Sequence, residues 1–194
     1  MSRNREKNEI ITQIRKEEIL RVAVKKFSAK GYQGTNVSEI AKELGISQGI
    51  IFWYFNTKEN LFINAFMKEF KEIKLATSNI LHSNSIGTVE KLKSIISEMI
   101  KTFIERKEGC MLILQLLSNK EMQKILSLDI SSVYNELYSE LEMLFIQAGA
   151  SNPELKARNF VALLDGFMIQ VILGLDIGDL DVLSNDILHR YELI

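Results

Sequence analysis

Hydrophobic residues recur every three or four positions through most of the chain, with charged residues between them. Such spacing places apolar side chains on one face of an α-helix. The first stripe consists of Ile19, Leu20, Ala23, Val24 and Phe27. Gly31 follows it and suits the left-handed position after a helix. With one proline and ten glycines in 194 residues, the chain has too few turn signals for a many-stranded β fold. The pattern predicts an all-α protein.

A second, short helix is predicted directly after this stripe. Asn36 with Glu39 three residues later matches a capping box, in which two side chains satisfy backbone N–H groups at a helix start. The apolar face of this helix consists of Val37, Ile40, Ala41 and Leu44. Gly45 then ends the helix almost at once.

A third and a fourth helix follow without a long linker. Ser47 is placed to cap the third helix, whose buried face would be Ile51 and Phe55. Asn56 or Thr57 is placed to cap the fourth. The three closely spaced starts predict two short helices followed by a longer one.

The remainder of the chain consists of longer apolar or amphipathic segments. Their predicted extents are Thr88–Glu105, Cys110–Leu117, a segment from Met122 or Asp129 to Ala148, Asn152–Leu175 and Gly178–Leu193. The sequence Asn152-Pro153-Glu154 is a strong helix start, with a capping residue, a proline in the first turn and an acid beside it.

The charge balance differs between the two ends of the chain. Residues 1–60 carry eleven Lys or Arg against seven Asp or Glu, whereas residues 61–194 carry thirteen against eighteen. A basic front end suits phosphate binding, although so modest an excess also arises by chance. The basic segment at the very start of the chain could reach a flanking minor groove of DNA, but we prefer to interpret this segment as a solvated tail. Its basic residues are Arg3, Arg5, Lys7, Arg15 and Lys16.

Composition argues against several classes of site. Cys110 is the only cysteine, which excludes an internal disulfide, and His82 and His189 are too few and too far apart to suggest a metal centre. No apolar run approaches the ~18 residues that span a bilayer. The charged N-terminal residues lack the apolar core of a signal peptide. We therefore expect a cytoplasmic protein with no membrane partner, no metal and no cofactor.

The most informative window is NVSEIAKELGISQGIIFWYF, residues 36–55. Two short helices that cross steeply need small residues where they meet and a turn residue that tolerates a positive φ, as Ala41 and Gly45 provide. With Ile51 and Phe55 turned inward, the third helix would present an aromatic outer face. Such a face either packs in the core of a helical hairpin or reads DNA, and the turn and the capping signals favour DNA.

The segment ILRVAVKKFSAKGYQGTNVSEIAKELGISQGIIFWYFNTKENL, residues 19–61, resembles the DNA-binding domain of TetR/AcrR transcriptional regulators. The resemblance implies an N-terminal three-helix helix-turn-helix domain, residues 13–73, followed by a larger helical domain for ligand sensing and dimerisation, residues 74–194. It implies a ligand-responsive regulator, commonly a repressor, that binds a palindromic double-stranded DNA operator as a homodimer. A small effector would release it from the DNA.

The resemblance also assigns DNA contacts. Gln48 and Gly49 would lie in the major groove, while Tyr54 and Lys58 would contact phosphate. Ile50 and Phe52 lack the hydroxyl that many relatives carry, so contacts with thymine methyl groups become more favourable there. Trp53 either contacts DNA or packs against the first or fourth helix. The full predicted set is Ser38, Ser47, Gln48, Gly49, Ile50, Phe52, Trp53, Tyr54 and Lys58.

The later helices carry two weaker expectations from the resemblance. A pocket for a hydrophobic effector would be lined by Phe62, Phe66, Phe70, Met99, Phe103, Met111, Met143 and Phe145, each of which could equally be plain core. The last two helices would form the dimer interface, since the run from residue 160 to 175 is apolar nearly all round. The predicted interface residues are Phe160, Leu163, Leu164, Phe167 and Val171, and the alternative is a central helix of a monomer.

An enzyme on a helical bundle is the main rival interpretation. It would need paired metal motifs, a nucleophile with its base or a phosphate loop, and none is present. Asp186 and His189 lie one turn apart, but a surface ion pair explains them better. A protein-interaction module would leave the aromatic outer face of the third helix unexplained. The sequence therefore favours a regulator over an enzyme.

Overall fold

The computed structural model describes residues 2–117, 119–126 and 130–193. Within those ranges the chain forms ten α-helices and no strand. They are α1 (Ser2–Gly34), α2 (Val37–Leu44), α3 (Gln48–Phe55), α4 (Lys58–Leu81), α5 (Thr88–Glu105), α6 (Lys107–Leu117), α7 (Lys120–Ile125), α8 (Ile130–Gln147), α9 (Pro153–Leu173) and α10 (Leu180–Arg190). None of these helices combines the length and hydropathy that crossing a membrane requires. The prediction of an all-α fold is confirmed.

The helices are divided between two compact units. The first comprises the residues up to Phe70 together with Met111–Leu126, and the second comprises Lys71–Cys110 with the residues from Ser127 onward. The first unit thus includes a later segment that the sequence interpretation placed with the second half of the chain. The sequence did not predict that Met111–Leu126 would group with the N-terminal residues, because the two segments are far apart along the chain.

The core of the first unit is formed by the apolar faces that the spacing predicted. Phe27 of α1 and Phe62 of α4 are both fully buried and meet edge to face, with ring centroids 5.1 Å apart. Burying one such side chain stabilises a fold by about 1.5–3 kcal/mol. The other predicted apolar residues that are buried in the first unit are Ile19, Leu20, Ala23, Val24, Val37, Ile40, Ala41, Ile51, Phe55, Leu61 and Phe66.

Helix α1 differs from its predicted extent at its beginning. It starts at Ser2, so the basic residues near the start belong to a helix and not to a tail. No glycine or proline interrupts residues 2–30, and pairs such as Arg15 with Glu18, 2.8 Å apart, support the exposed helix. The predicted break at Gly31 is confirmed, because this residue has φ 70° and a non-helical conformation.

The second unit is built around α5, α8, α9 and α10. Helices α8 and α9 are joined by residues 148–152 and run antiparallel, since early residues of one contact late residues of the other. At the start of α10, the Asp179 carboxylate accepts hydrogen bonds from the backbone N–H groups of Asp181 and Val182 at 2.9 and 3.0 Å. This cap confirms the predicted start of the last helix.

Candidate nucleic-acid interface

Helices α2 and α3 are joined by a tight turn whose geometry follows from glycine. Gly45 has φ 65°, a conformation that is free of strain only without a Cβ. The N–H of Ile46 donates to the Ala41 carbonyl at 3.0 Å, and the N–H of Gly45 donates to the Lys42 carbonyl at 3.2 Å. These two bonds end α2 in a Schellman motif. The Ser47 hydroxyl then accepts from the N–H of Ile50 at 3.4 Å and caps α3, as predicted.

The predicted capping box at the start of α2 is wrong. Asn36 occupies the cap position but makes no side-chain cap hydrogen bond, and the Glu39 carboxylate instead accepts from Lys30 of α1 at 2.7 Å. A bond between two charged groups is stronger than one to a neutral N–H, which explains the choice. Glu43 is likewise paired with Lys25 and Lys26.

These ion pairs affect the electrostatics of the first unit. Hydrogen bonding to Lys30 lowers the pKa of Glu39, and hydrogen bonding to Lys26 lowers the pKa of Glu43. Both carboxylates of α2 therefore stay ionised with a cation beside them. Their repulsion of an approaching polyanion is thereby reduced.

Helix α3 has a buried face and an open face. Ile51 and Phe55 are buried against the rest of the first unit. The other face carries no charged side chain, and its Trp53 is 72% exposed, with its ring 4.7 Å from that of the half-buried Tyr54. The exposed residues of α3 are Gln48, Gly49, Ile50, Phe52 and Trp53. This surface offers one amide for hydrogen bonding and apolar rings for contact with methyl groups.

The predicted phosphate contacts lie at helix starts. Ser38 and Ser47 are exposed at the beginnings of α2 and α3, and Lys58 is the half-buried first residue of α4. N–H groups at a helix N-terminus face outward and carry partial positive charge, which favours an anion there. The placement suits the predicted roles, and the DNA contacts themselves stay predictions.

The residues predicted to line an effector pocket fall into two groups. Phe62, Phe66, Phe70 and Met111 belong to the first unit, whereas Met99, Phe103, Met143 and Phe145 belong to the second. Within the second unit Met99, Phe103 and Phe145 lie in the buried core. Met143 is 56% exposed on α8, so the apolar interior does not include it.

The residues predicted to form the dimer interface lie mostly inside the second unit. Leu163 is half-buried, whereas four others are core residues of their own chain: Phe160, Leu164, Phe167 and Val171. Apolar residues occur on both faces of α9, and the face that carries these four residues packs into the core of its own chain. These four residues are therefore not free to contact a partner.

The opposite side of α9 carries a regular exposed stripe. Its members recur with alternating spacings of four and three: Leu155, Asn159, Ala162, Gly166, Ile169 and Leu173. We call this set the outer stripe. All are exposed except Gly166, which is half-buried, and a Cβ added at Gly166 would meet no atom within 4 Å. A 3–4 repeat is the spacing with which one helix packs along another.

The second unit contains one polar pair that was not predicted from the sequence. The Tyr134 hydroxyl of α8 donates to the Asp165 carboxylate of α9 at 3.0 Å. Burial raises the pKa of both groups, and for Tyr134 the nearby Asp165 carboxylate raises it further. A signal was available, because Asp165 is the only charged residue between Phe160 and Leu175.

Comparison with known proteins connects this geometry to a family. Residues 19–65 match the family model of bacterial regulatory proteins of the tetR family. The transcriptional regulator AcrR of Shigella flexneri is 43% identical over 47 residues, which cover 24% of this chain and 22% of AcrR. The chain spans 40% or less of the length of the first curated relatives it matches. The sequence likeness is thus centred on the helix-turn-helix.

Solved structures extend the likeness to the whole fold. A TetR-like regulator from Rhodococcus sp. RHA1 matches with a TM-score of 0.76 and 19% identity, covering 91% of this chain and 94% of the other. FadR from Bacillus subtilis, solved in complex with stearoyl-CoA, matches with a TM-score of 0.67 and 25% identity, covering 92% and 98%. These relatives are transcriptional regulators and not enzymes, as the sequence predicted for this chain. The helix-turn-helix region, residues 19–65, therefore matches the tetR family of bacterial regulatory proteins, and the chain shares its fold with solved TetR-like regulators.

Proposed function

We propose that this protein is a transcriptional repressor that binds a palindromic operator as a homodimer and is released by a hydrophobic effector. The observation that carries the proposal is the open face of α3. Five of its eight residues are exposed, among them one tryptophan and one phenylalanine, and none is charged. Covering this apolar surface only when DNA is bound accounts for its exposure in the free protein.

The chemistry of α3 suits direct reading of base edges. Gln48 lies at the first position of the helix, and a glutamine amide can pair with the N6 and N7 atoms of adenine. Ile50 and Phe52 are apolar and 40% and 38% exposed, and each can contact the C5 methyl group of thymine. We therefore propose an A·T-containing half-site read by the residues from Gln48 to Tyr54.

The anchoring to the DNA backbone is proposed to come from helix starts. Lys58 would bind one phosphate at the N-terminus of α4, and Ser38 and Ser47 would add contacts at α2 and α3. Contacts of this kind position the protein without reading sequence. In a homodimer each contact occurs twice, so the half-sites are related by a two-fold axis and lie about one helical turn, or a multiple of it, apart.

Two substitutions separate the reader from the anchor. Gln48→Ala should change the selected base at one position, at a cost of about 1–3 kcal/mol per half-site if the amide pairs with both atoms of an adenine. Lys58→Ala should weaken binding to all sequences and lower the salt dependence by about one counterion per head. Selection from random duplex DNA, followed by salt titration, measures both effects.

Lys101→Ala is a matched control for this experiment, because it removes the same charge from an exposed position of α5. It should leave the selected sequence unchanged. If Gln48→Ala selects the same sequence as the wild type while Lys58→Ala selects another, the assignment of the two roles is wrong. If the wild type binds no duplex even at low salt, the repressor proposal fails.

Dimerisation is proposed through the last two helices, α9 and α10, with the outer stripe of α9 at the centre of the interface. Other exposed apolar side chains of the second unit are Val182 of α10, which is 68% exposed, and Met143 and Ile146 of α8, which are 56% and 51% exposed. In a two-fold dimer the same patch contacts itself, so the stripe would pack on its own copy. The open space at Gly166 would permit two helices to approach closely.

The effector is proposed to be hydrophobic and to bind among the later helices. The buried Met99, Phe103 and Phe145 supply an apolar interior in the second unit. FadR of Bacillus subtilis, which shares the fold at 25% identity, binds stearoyl-CoA, so a long-chain acyl-CoA is the first candidate to test. We assign residues 13–73 to DNA binding and residues 74–194 to effector binding and dimerisation. The DNA partner implies a cytoplasmic location.

A further inference from the structure

We propose that Tyr32 is a positioning residue for DNA binding, whose ring holds the Lys58 ammonium at the start of α4 where it meets phosphate. The inference rests on the proposed DNA-binding function and deepens it. The Lys58 Nζ lies above the Tyr32 ring, 4.6 Å from its centroid. That distance is within the range in which a cation is attracted by the negative face of an aromatic ring.

Tyr32 is itself fixed by the core of the first unit. Its ring stacks on Phe27 with centroids 6.2 Å apart and meets Phe62 edge to face at 5.3 Å. Both phenylalanines are fully buried, so the tyrosine ring rests on a rigid base. The positive φ of Gly31 ends the regular helix immediately before Tyr32. The Tyr32 ring that contacts the Lys58 ammonium is therefore itself held in place by buried side chains.

An aromatic partner is useful to Lys58 because a cation at the start of a helix is in an electrostatically unfavourable position. A cation at a helix N-terminus faces the positive end of the helix dipole. Among the described residues no carboxylate forms an ion pair with the Lys58 ammonium. A free lysine side chain also has rotamer entropy, which must be lost on binding. The ring lowers this loss by confining the ammonium beforehand.

A ring is a suitable holder because it does not use up hydrogen-bond donors. A carboxylate would neutralise the ammonium and compete with phosphate, whereas a ring leaves the N–H groups on its far side available. Burial and the nearby Glu59 carboxylate raise the pKa of Tyr32, so the phenol stays protonated and the ring stays neutral. No phenolate therefore competes with the DNA phosphate for the Lys58 ammonium.

The test is a double-mutant cycle on an unrelated 30-base-pair duplex at low salt, where phosphate contacts dominate. Tyr32→Leu should raise Kd by about two- to five-fold per head, the loss expected for a partly exposed cation–π contact. Tyr32→Phe, which keeps the ring, should bind like the wild type. In a Lys58→Ala background, Tyr32→Leu should cause no further loss.

The possible outcomes separate the inference from its alternatives. An equal loss from Tyr32→Leu with and without Lys58 would mean that Tyr32 acts only through the fold, and tighter binding by Tyr32→Leu would mean that the ring competes with phosphate. Either result overturns the inference. A wild type that binds no duplex would instead refute the proposed function.

A second variant covers the case in which Tyr32→Leu does not fold. Pentafluorophenylalanine at position 32 keeps the size of a ring but reverses the charge of its face. It should raise Kd as Tyr32→Leu does, and only while Lys58 is present. Binding equal to that of Tyr32→Phe would overturn the inference.

Discussion

Substitutions on the two sides of α9 should separate assembly from folding. Ala162 is exposed in the outer stripe, and a glutamate there removes no packing within its own chain. Leu164, two residues later, is 5% exposed in the core of the second unit. Ala162→Glu should therefore give a folded monomer, whereas Leu164→Ala should give a less stable protein that still dimerises when folded.

The magnitudes follow from burial. Leu164→Ala empties a packed position and should lower the free energy of unfolding by about 2–5 kcal/mol. Surface substitutions usually change stability by less than about 0.5 kcal/mol, and glutamate is a good helix former. In a two-fold dimer, however, Ala162→Glu places two like charges near the interface. Such juxtaposition costs several kcal/mol, and each 1.4 kcal/mol raises Kd about ten-fold.

Light scattering at micromolar concentration measures the assembly state directly. The wild type should have a mass of about 44 kDa, twice the 22.2 kDa of one chain, and Ala162→Glu should approach the mass of one chain. Circular dichroism and urea titration then report folding. Because unfolding of a dimer depends on concentration, all proteins are compared at the same protomer concentration.

Two results would refute the reasoning. A wild type that is monomeric at micromolar concentration would exclude the proposed dimer. A fully dimeric Ala162→Glu would show that the outer stripe is not the interface. Charging Leu164 or Phe167 would not test assembly, because both lie in the core and their substitution disturbs the fold first.

Two further predictions concern the second unit. Stearoyl-CoA should lower DNA affinity, and DNA must then weaken stearoyl-CoA binding by the same factor; coenzyme A without an acyl chain is the control, and equal ligand affinity with and without DNA would exclude the linkage. Burial raises the pKa of Asp165 above its ordinary 3.8. Between these two pKa values the folded protein retains a proton that the unfolded chain releases. The free energy of unfolding therefore falls as the pH rises from 3.8 through the raised pKa of the folded state. Asp165→Asn keeps an acceptor for Tyr134 and should raise Tm at neutral pH, with the advantage fading as pH falls towards 3.8; a difference in Tm that does not change with pH would contradict this.

Local signals in the sequence were sufficient for the helix-turn-helix. A glycine at position 45, a serine at position 47 and apolar residues one turn apart at 51 and 55 each act within a few residues of their own position. The structure has the Schellman turn, the Ser47 cap and the buried pair Ile51 and Phe55 where these signals placed them. Short-range geometry alone decides such features, since neither the turn nor the cap depends on a distant partner.

Competition between partners was beyond the reach of the sequence. Asn36 and Glu39 have the spacing of a capping box, but Lys30 of α1 takes the carboxylate. The lysine becomes available only when α1 and α2 pack together. Tyr32 and Lys58 are 26 positions apart, and only the fold places the ammonium over the ring.

The faces of α9 show most plainly what the tertiary structure decided. In an amphipathic helix, the apolar face predicts which side is buried. Helix α9 is apolar nearly all round, so its sequence is compatible with a core on either side. Packing against α5 and α8 buries Phe160, Leu164, Phe167 and Val171 and leaves the outer stripe exposed. Burial depends on which helices cover which surface, and that is a property of the whole assembled unit rather than of any one segment.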